Sequence, residues 1–359
     1  REPGQELKET VATGTRAAAK GGFTTVCAMP NTIPPIDDAD LVGSLQDIIR
    51  KEALVKVLSI ACVTLGRNGT ALVDMRRLSD AGVIGFSDDG SPVWDDDLMR
   101  MALTSANQLG LPVINHCEDL QVSMTGVMNE GPVADMLRLP GISVAAETNM
   151  VSRDIEIAES TGAWLHLAHM STSGSVDLVR KAKDRGVPVT AEVTPHHFTL
   201  TEEAIKDFDT NTKMKPPLRS EADRSAIIAG IEDGTIDAIA TDHAPHHANL
   251  KMLEFDRAPF GIIGLETALG LAITNLDLPL ARLVEMFSTN PQKIMKVDGW
   301  GLYIGSTADL TLFDTEYEWT VNLADSNSLS RNSPFDGWKL KGKAMVTIVG
   351  GEIVHEEHH

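Results

Sequence analysis

Seven short apolar, β-branched runs recur along the chain, and nearly all end in a side chain that can bind a metal or carry a proton. The runs are 23–29, 57–63, 83–87, 113–116, 164–169, 187–193 and 238–241. At or just past their ends stand Asn31, the pair Asp88-Asp89, His116, His169, the pair His196-His197, and Asp242 with His243 and His246. Amphipathic helical patterns lie between several runs. The pattern at 95–109 stops at Gly110, that at 175–185 stops at Gly186, and that at 6–20 precedes Gly21-Gly22, each glycine being a natural C-terminal stop. Strands alternating with helices predict parallel β-α-β units. No glycine-rich phosphate loop accompanies them, which favours a barrel over a doubly wound sheet. The expected fold class is therefore α/β, a (β/α)8 TIM-type barrel, whose chemistry gathers at the C-terminal ends of its strands.

Seven runs are one short of eight, and the chain opens directly into a loop and a helix, so the first strand is expected upstream of Arg1. After about residue 290 the pattern changes. Stretches 308–313 and 344–349 read as short strands, with turns at Gly305, 325–327 and Gly350-Gly351. The expected division is a hydrolase barrel over 1–290, a small β appendage over 291–355, and a histidine-bearing tail or tag remnant at 356–359 that is kept out of the chemistry.

Composition narrows the function classes. With 359 residues, 42% of them hydrophobic, the chain can bury a large core. A formal net charge of −20 repels phosphate backbones and anionic lipid, so neither nucleic acid nor membrane is expected as a partner. No apolar run approaches a membrane span. Cys27, Cys62 and Cys117 lie far apart without a CxxC spacing, and read as small buried hydrophobes of a reducing, cytoplasmic compartment.

Histidine and carboxylate donors suit zinc, manganese or iron. His116, His169, Asp89 and Asp242 come from different runs, so only a barrel end can bring them together. A carboxylate can bridge two cations about 3.5–4 Å apart, a hydrolytic arrangement. Asp242, within Ala-Thr-Asp-His-Ala-Pro-His, is placed to take a proton and deliver it to a leaving nitrogen. Asp88-Asp89-Gly90 is also good turn chemistry, and one of its carboxylates is expected to turn inward. His166, three residues before His169, faces the other side of an alternating strand and reads as structural. His196 and His197 read as groups that orient ligands or substrate. Met214 and Met252 read as packing.

Taken in order, Arg1-Glu2-Pro3-Gly4, Met29-Pro30-Asn31-Thr32, Phe86-Ser87-Asp88-Asp89-Gly90, His116-Cys117-Glu118-Asp119, Ala168-His169-Met170-Ser171-Thr172, Glu192-Val193-Thr194-Pro195-His196-His197, Ala240-Thr241-Asp242-His243-Ala244-Pro245-His246 and Ala258-Pro259-Phe260-Gly261 resemble the bacterial class I dihydroorotases of the amidohydrolase superfamily. The resemblance spans nearly the whole chain. It implies reversible hydrolysis of (S)-dihydroorotate to N-carbamoyl-L-aspartate in pyrimidine synthesis. It implies Asp89 as the carboxylate that bridges metals, His116 and His169 as ligands of the second metal, and Asp242 as a ligand of the first metal and the acid/base. Arg1, Asn31 and His246 match groups that hold the substrate carboxylate. Phe260 and Gly261 match backbone contacts to the ring, and 247–257 matches a mobile loop. Lys215 stands where the family usually has an asparagine touching the ring. The implied cofactor is zinc, one or two ions per subunit, with a His-x-His pair expected upstream of Arg1. The implied partners are dihydroorotate and carbamoyl aspartate, further copies of the chain in a homo-oligomer, and aspartate transcarbamoylase.

Two other classes compete. A hydantoinase or allantoinase typically bridges its metals with a carboxylated lysine, but 81–90 contains no lysine and Asp89 stands in its place. A non-catalytic homologue serving as a structural subunit predicts eroded ligands, whereas Asp89, His116, His169 and Asp242 are all present.

Overall fold

The computed structural model describes residues 1–297 and 301–357. Its central feature is a set of parallel strands in chain order. β1 (Thr25–Ala28) pairs with β2 (Lys56–Ser59), Thr25 opposite Lys56. The run 83–87 follows through bridges rather than as a full strand. Its Phe86 is bridged in parallel to Ala61 on one side and to Val113 on the other, and Ser87 N–H donates to Ala61 O at 2.8 Å. β3 (Val113–Asn115) comes next. The loop after it carries a small parallel pair, β4 (Met128–Asn129) and β5 (Gly141–Ile142). The wall continues through β6 (Leu165–Leu167), β7 (Val189–Val193) and β8 (Ala238–Ile239). Val113 stands opposite Leu165, Leu165 opposite Val189, and Glu192 opposite Ala238. All seven runs read from the sequence thus stand side by side in the order expected of a barrel.

The helices between strands form where their caps allow. Asp95 accepts from Leu98 N–H at 2.8 Å and opens the helix Asp96–Gln108. Thr172 accepts from Ser175 N–H at 3.2 Å and opens Ser173–Asp184. The first helix is shorter than its apolar pattern suggests, Val11–Lys20 instead of 6–20. Thr10 and Thr13 form a reciprocal capping box that fixes the start. The preceding Glu9 is drawn away, its carboxylate accepting from Leu329 N–H at 2.9 Å.

Apolar side chains from the strands and helices fill the space between wall and helices, with Phe86 and Leu165 completely buried. Each such side chain contributes about 1.5–3 kcal/mol. Inside the wall, Ile60, Ile114, Ala168 and Ala238 meet Ile294 and Met295, which follow the barrel in sequence. β1 and β8 do not pair with each other. Residues of both line a cavity of about 360 Å³ that runs up to Asp89, His169 and Asp242.

The C-terminal region is an antiparallel sheet in the order β11–β10–β9, made of β9 (Leu310–Thr320), β10 (Lys339–Val349) and β11 (Glu352–Glu356). The strands are longer than 308–313 and 344–349, and they sit on the barrel. Thr347 Oγ1 donates to Ala19 O at 2.7 Å, and Thr311 Oγ1 donates to Gly22 O at 2.6 Å. Of the tail 356–359, Glu356 ends the last strand, while 358–359 lie outside the described residues. Among the described residues no helix is long and apolar enough to cross a membrane.

Candidate active site

Parallel register brings the strand ends to one level. Asn115 stands opposite Leu167, so His116 and His169 emerge beside each other. His116 Nδ1 and His169 Nε2 face each other at 3.0 Å, with ring centroids 4.8 Å apart at 75°. Both rings are buried, 3% and 4% exposed. Asp89 completes the group, and one ligand atom from each of the three lies within 4.8 Å of the others.

The paired aspartates divide their work. Asp88 serves the turn, its Oδ1 accepting from Val63 N–H at 2.9 Å and Thr64 N–H at 3.1 Å. Asp89 turns to the site, where its Oδ2 accepts from Asn31 Nδ2 at 2.6 Å. Asn31 Oδ1 in turn accepts from Arg1 Nη1 at 2.9 Å. Arg1 and Asn31 are therefore wired to Asp89, with most of the guanidinium's five donors left over.

Asp242 lines the same cavity as Arg1, Asn31, Asp89 and His169. It is deeply enclosed but reached through that cavity. Burial pushes its carboxyl up to about 7, with His169 opposing and the charge of Asp89 adding to the rise. His169 and Asp242 both have left-handed backbones, φ 39° and 42°. Such strain in non-glycine residues collects at functional sites.

This donor set fits a divalent cation. Two imidazole nitrogens aimed at each other and a carboxylate beside them are borderline donors of the kind zinc takes. The charge of Asp89 acts on Asp242, and a cation at that point would neutralise it.

Of the remaining predicted residues, His246, Phe260 and Gly261 form the facing side, and Lys215 reaches back toward His116. His246 is buried, and its imidazole is pushed down to about 3 by burial and then by the charges of Arg1, Lys8 and Lys251. It is a neutral ring. Gly261 packs directly on it. A methyl group on Gly261 would lie 2.5 Å from Ala244 O and 2.7 Å from His246 Cδ2. Two ammonium groups lie near the Phe260 ring, Lys213 at 4.6 Å and Lys215 at 5.2 Å from its centroid. Lys215 Nζ also stands 2.7 Å from Glu118 Oε1. The segment 247–257 contains a short helix, Ala248–Lys251. Lys251 Nζ donates to Pro259 O at 2.9 Å, and Lys213 Nζ to Phe255 O at 2.7 Å.

His166 is hydrogen-bonded to Thr190 Oγ1 at 2.8 Å and Glu192 Oε2 at 3.0 Å, and both His166 and Glu192 line the cavity that Asp89, His169 and Asp242 share. His197 is spent on Thr194 Oγ1 at 2.7 Å and Pro216 O at 3.0 Å, so it holds the loop that carries Lys215. His196 is buried, with no hydrogen-bond partner at Nε2 among the described residues. Met214 packs in the core, but Met252 does not. It follows the short helix 248–251 and is 82% exposed, which corrects the packing expected of it.

Two residues with structural claims on the site were not singled out by sequence. Glu118 Oε2 lies 3.1 Å from His116 Nε2, and the His-x-Glu spacing was the available signal. Asn332, 3% exposed, accepts from His246 N–H at 3.0 Å and donates to Ala244 O at 2.9 Å and Gly261 O at 3.0 Å. It ties the His246 loop to Gly261, and nothing in its polar surroundings announces it.

Comparison with known proteins bears on this arrangement. Residues 1–175 match the profile of a family described as dihydro-orotase-like. Over 359 residues the chain is 50% identical to a dihydroorotase of Geobacter sp. (strain M21), covering 99% of this chain and 84% of the relative. Over 362 residues it is 50% identical to a dihydroorotase of Pelotomaculum thermopropionicum, covering 99% and 84%. Among solved structures, the L-hydantoinase (dihydropyrimidinase) of Arthrobacter aurescens matches with a TM-score of 0.88 at 24% identity, over 100% of this chain and 83% of that one. A D-hydantoinase (dihydropyrimidinase) of Thermus sp. matches with a TM-score of 0.80 at 24% identity, over 98% and 82%. Those two likenesses bear on fold alone, the barrel with its C-terminal antiparallel sheet.

Proposed function

The chain belongs to the dihydroorotase family of cyclic amidohydrolases, and from that premise we propose that Asp89, His116 and His169 hold zinc, as one ion or part of a pair, beside Asp242 as the acid/base. The reaction is the reversible hydrolysis of (S)-dihydroorotate to N-carbamoyl-L-aspartate. The observation that carries the proposal is the meeting of Asp89, His116 and His169 within 4.8 Å at the mouth of a cavity that Asp242 also lines.

When bound, the ion supplies Lewis-acid polarisation of the ring carbonyl and an acidified water. The chain's own residues do the rest. Asp242 takes a proton onto its carboxylate as water attacks and returns it to the departing ring nitrogen, reversing the order in synthesis. Arg1 offers a planar fork to the substrate carboxylate. Asn31 and the neutral His246 supply further hydrogen-bonding groups. Gly261 leaves room for a flat ring beside His246, and Phe260 with the segment 247–257 shields that ring from water. The same reading divides the chain after residue 290, with Ile294 and Met295 still packed against the barrel interior. It also places a homo-oligomer in the cytoplasm, with aspartate transcarbamoylase as a candidate partner, which light scattering with and without that partner tests.

Metal analysis of the purified chain, coupled to a dihydroorotate hydrolysis assay, tests the core of the proposal. Asp242→Ala is expected to lower turnover by about 10²–10⁴-fold or more while zinc at His116 and His169 largely survives. Unchanged turnover removes Asp242 from its role. Arg1→Ala is expected to weaken dihydroorotate far more than hydantoin, which has no carboxylate. Equal losses for both substrates would remove the carboxylate clamp.

A further inference from the structure

His116 presents Nδ1 toward His169, so a metal at that point requires its proton on Nε2. A neutral imidazole in water samples both tautomers. Something must select one and hold the ring, and in metal sites an acceptor behind the ligand does this. Glu118 stands in that place, its Oε2 3.1 Å from His116 Nε2. Glu118 is itself 5% exposed. A buried carboxylate that close to the ligand needs a cation of its own. Lys215 supplies it, with Nζ 2.7 Å from Glu118 Oε1. The backbone beyond Lys215 is fixed independently, because Pro216 O lies 3.0 Å from His197 Nε2. The order is therefore linear: an anchored loop, an ammonium, a carboxylate, an imidazole.

We infer that Glu118 and Lys215 are positioning residues for His116, Glu118 fixing the tautomer and plane of the ring and Lys215 fixing Glu118. Lys215 then acts through Glu118 and not by touching the substrate ring. This inference rests on reading His116 as a metal ligand.

The test is zinc affinity of the purified full chain, measured by competition with a chromogenic chelator, alongside thermal melts and steady-state kinetics. The variants are Glu118→Ala, Lys215→Met, the double variant, Lys215→Arg and His116→Ala. Glu118→Ala is expected to weaken zinc about 10–100-fold. Lys215→Met, one step further from the metal, is expected to weaken it less, by about tenfold, the lower end of that range. Because Lys215 works through Glu118, adding Lys215→Met to Glu118→Ala should change affinity by less than about twofold. Lys215→Arg should restore most of the loss. Wild-type zinc affinity in Glu118→Ala overturns the inference, as does an equal cost of Lys215→Met in both backgrounds. So does a rise in KM for Lys215→Met with zinc affinity intact, the mark of a direct substrate contact. If Glu118→Ala does not fold, Lys215→Met against Lys215→Arg decides alone, and equal affinity in both refutes the inference. His116→Ala separates the two levels. If it keeps zinc, the metal reading fails; if it alone loses zinc, only the positioning assignment fails.

Discussion

Two groups of buried or half-buried cations flank the same site, and they are neutralised in different ways. Behind His116 and His169 the cations face carboxylates. Lys215 pairs with Glu118 at 2.7 Å, and Arg219 lies 4.0 Å from Glu147 while donating to Ser171 Oγ at 3.1 Å. Glu147 accepts from the backbone N–H of Ser171 and Thr172, both at 3.1 Å, just after His169. On the facing side, Lys213 and Lys251 have no carboxylate within ion-pair distance among the described residues. They donate to backbone carbonyls of Phe255, Asp256 and Pro259. The pKa values follow the partners. Burial tends to push Glu118 up, but its hydrogen bond to His116 and the nearby charge of Lys215 bring it down to about 2. Burial pushes Lys213 down to about 8 and, with Lys213 nearby, Lys251 down to about 7. The ligand side is locked by opposite charge. The side that carries His246 and Gly261 is held by dipoles, which leaves it easier to shift.

That contrast is most exposed to Arg219→Met. The substitution keeps volume but strands Glu147, 2% exposed, as an unpaired buried charge. A loss of about 3–5 kcal/mol is expected, read from urea unfolding. A change below about 1 kcal/mol would mean that opposite charge is not what locks the ligand side. Gly261→Ala probes the other side. Its methyl group meets Ala244 O at 2.5 Å, and φ there is 151°, so the backbone beside His246 must move. Misplacement on the scale of an ångström lowers kcat/KM by roughly 10²-fold or somewhat less. Zinc affinity should stay at the wild-type value. Joint loss of zinc and substrate binding would show that the two sides are one unit.

The legible parts of this molecule were those with local signatures. Nearly every strand run ends in or just before a polar side chain, and the parallel pairing that brings His116 beside His169 follows from strand–helix alternation. Asp88 and Asp89 were legible as a pair, while their division of labour depended on the backbone N–H groups of Val63 and Thr64, some 25 residues away. The first helix reads too long from sequence because Leu7 stands four residues before Val11 while Glu9 answers to Leu329, 320 residues distant. Asn332 was invisible for the same reason, since its partners lie 71 to 88 residues away. Met252 looked like any core methionine, and only its place after a four-residue helix leaves it in solvent. What sequence conceals here is the long-range polar tie, which has no period to read.

The unpaired side is read most directly through the titration of Lys251. Lys251 in the folded protein titrates at about 7, against about 10.4 for an unfolded lysine. Between those values the unfolded chain binds the additional proton, so this residue makes stability rise with pH from about 7 toward 10. Below pH 7 its contribution is unfavourable and flat. Lys251→Met removes that proton, and the side chain, 7% exposed, is replaced by one suited to burial. Losing the bond to Pro259 O shifts the whole curve by a constant. The slope is therefore the readout: urea unfolding between pH 7 and 9.5 should show a shallower rise in the variant than in the wild type. Lys213, at about 8, keeps part of the rise in place. Glu118 should add little slope there, since its carboxylate is already ionised. Equal slopes in variant and wild type would mean that Lys251 stays protonated when folded, and the two sides would then differ in geometry but not in charge.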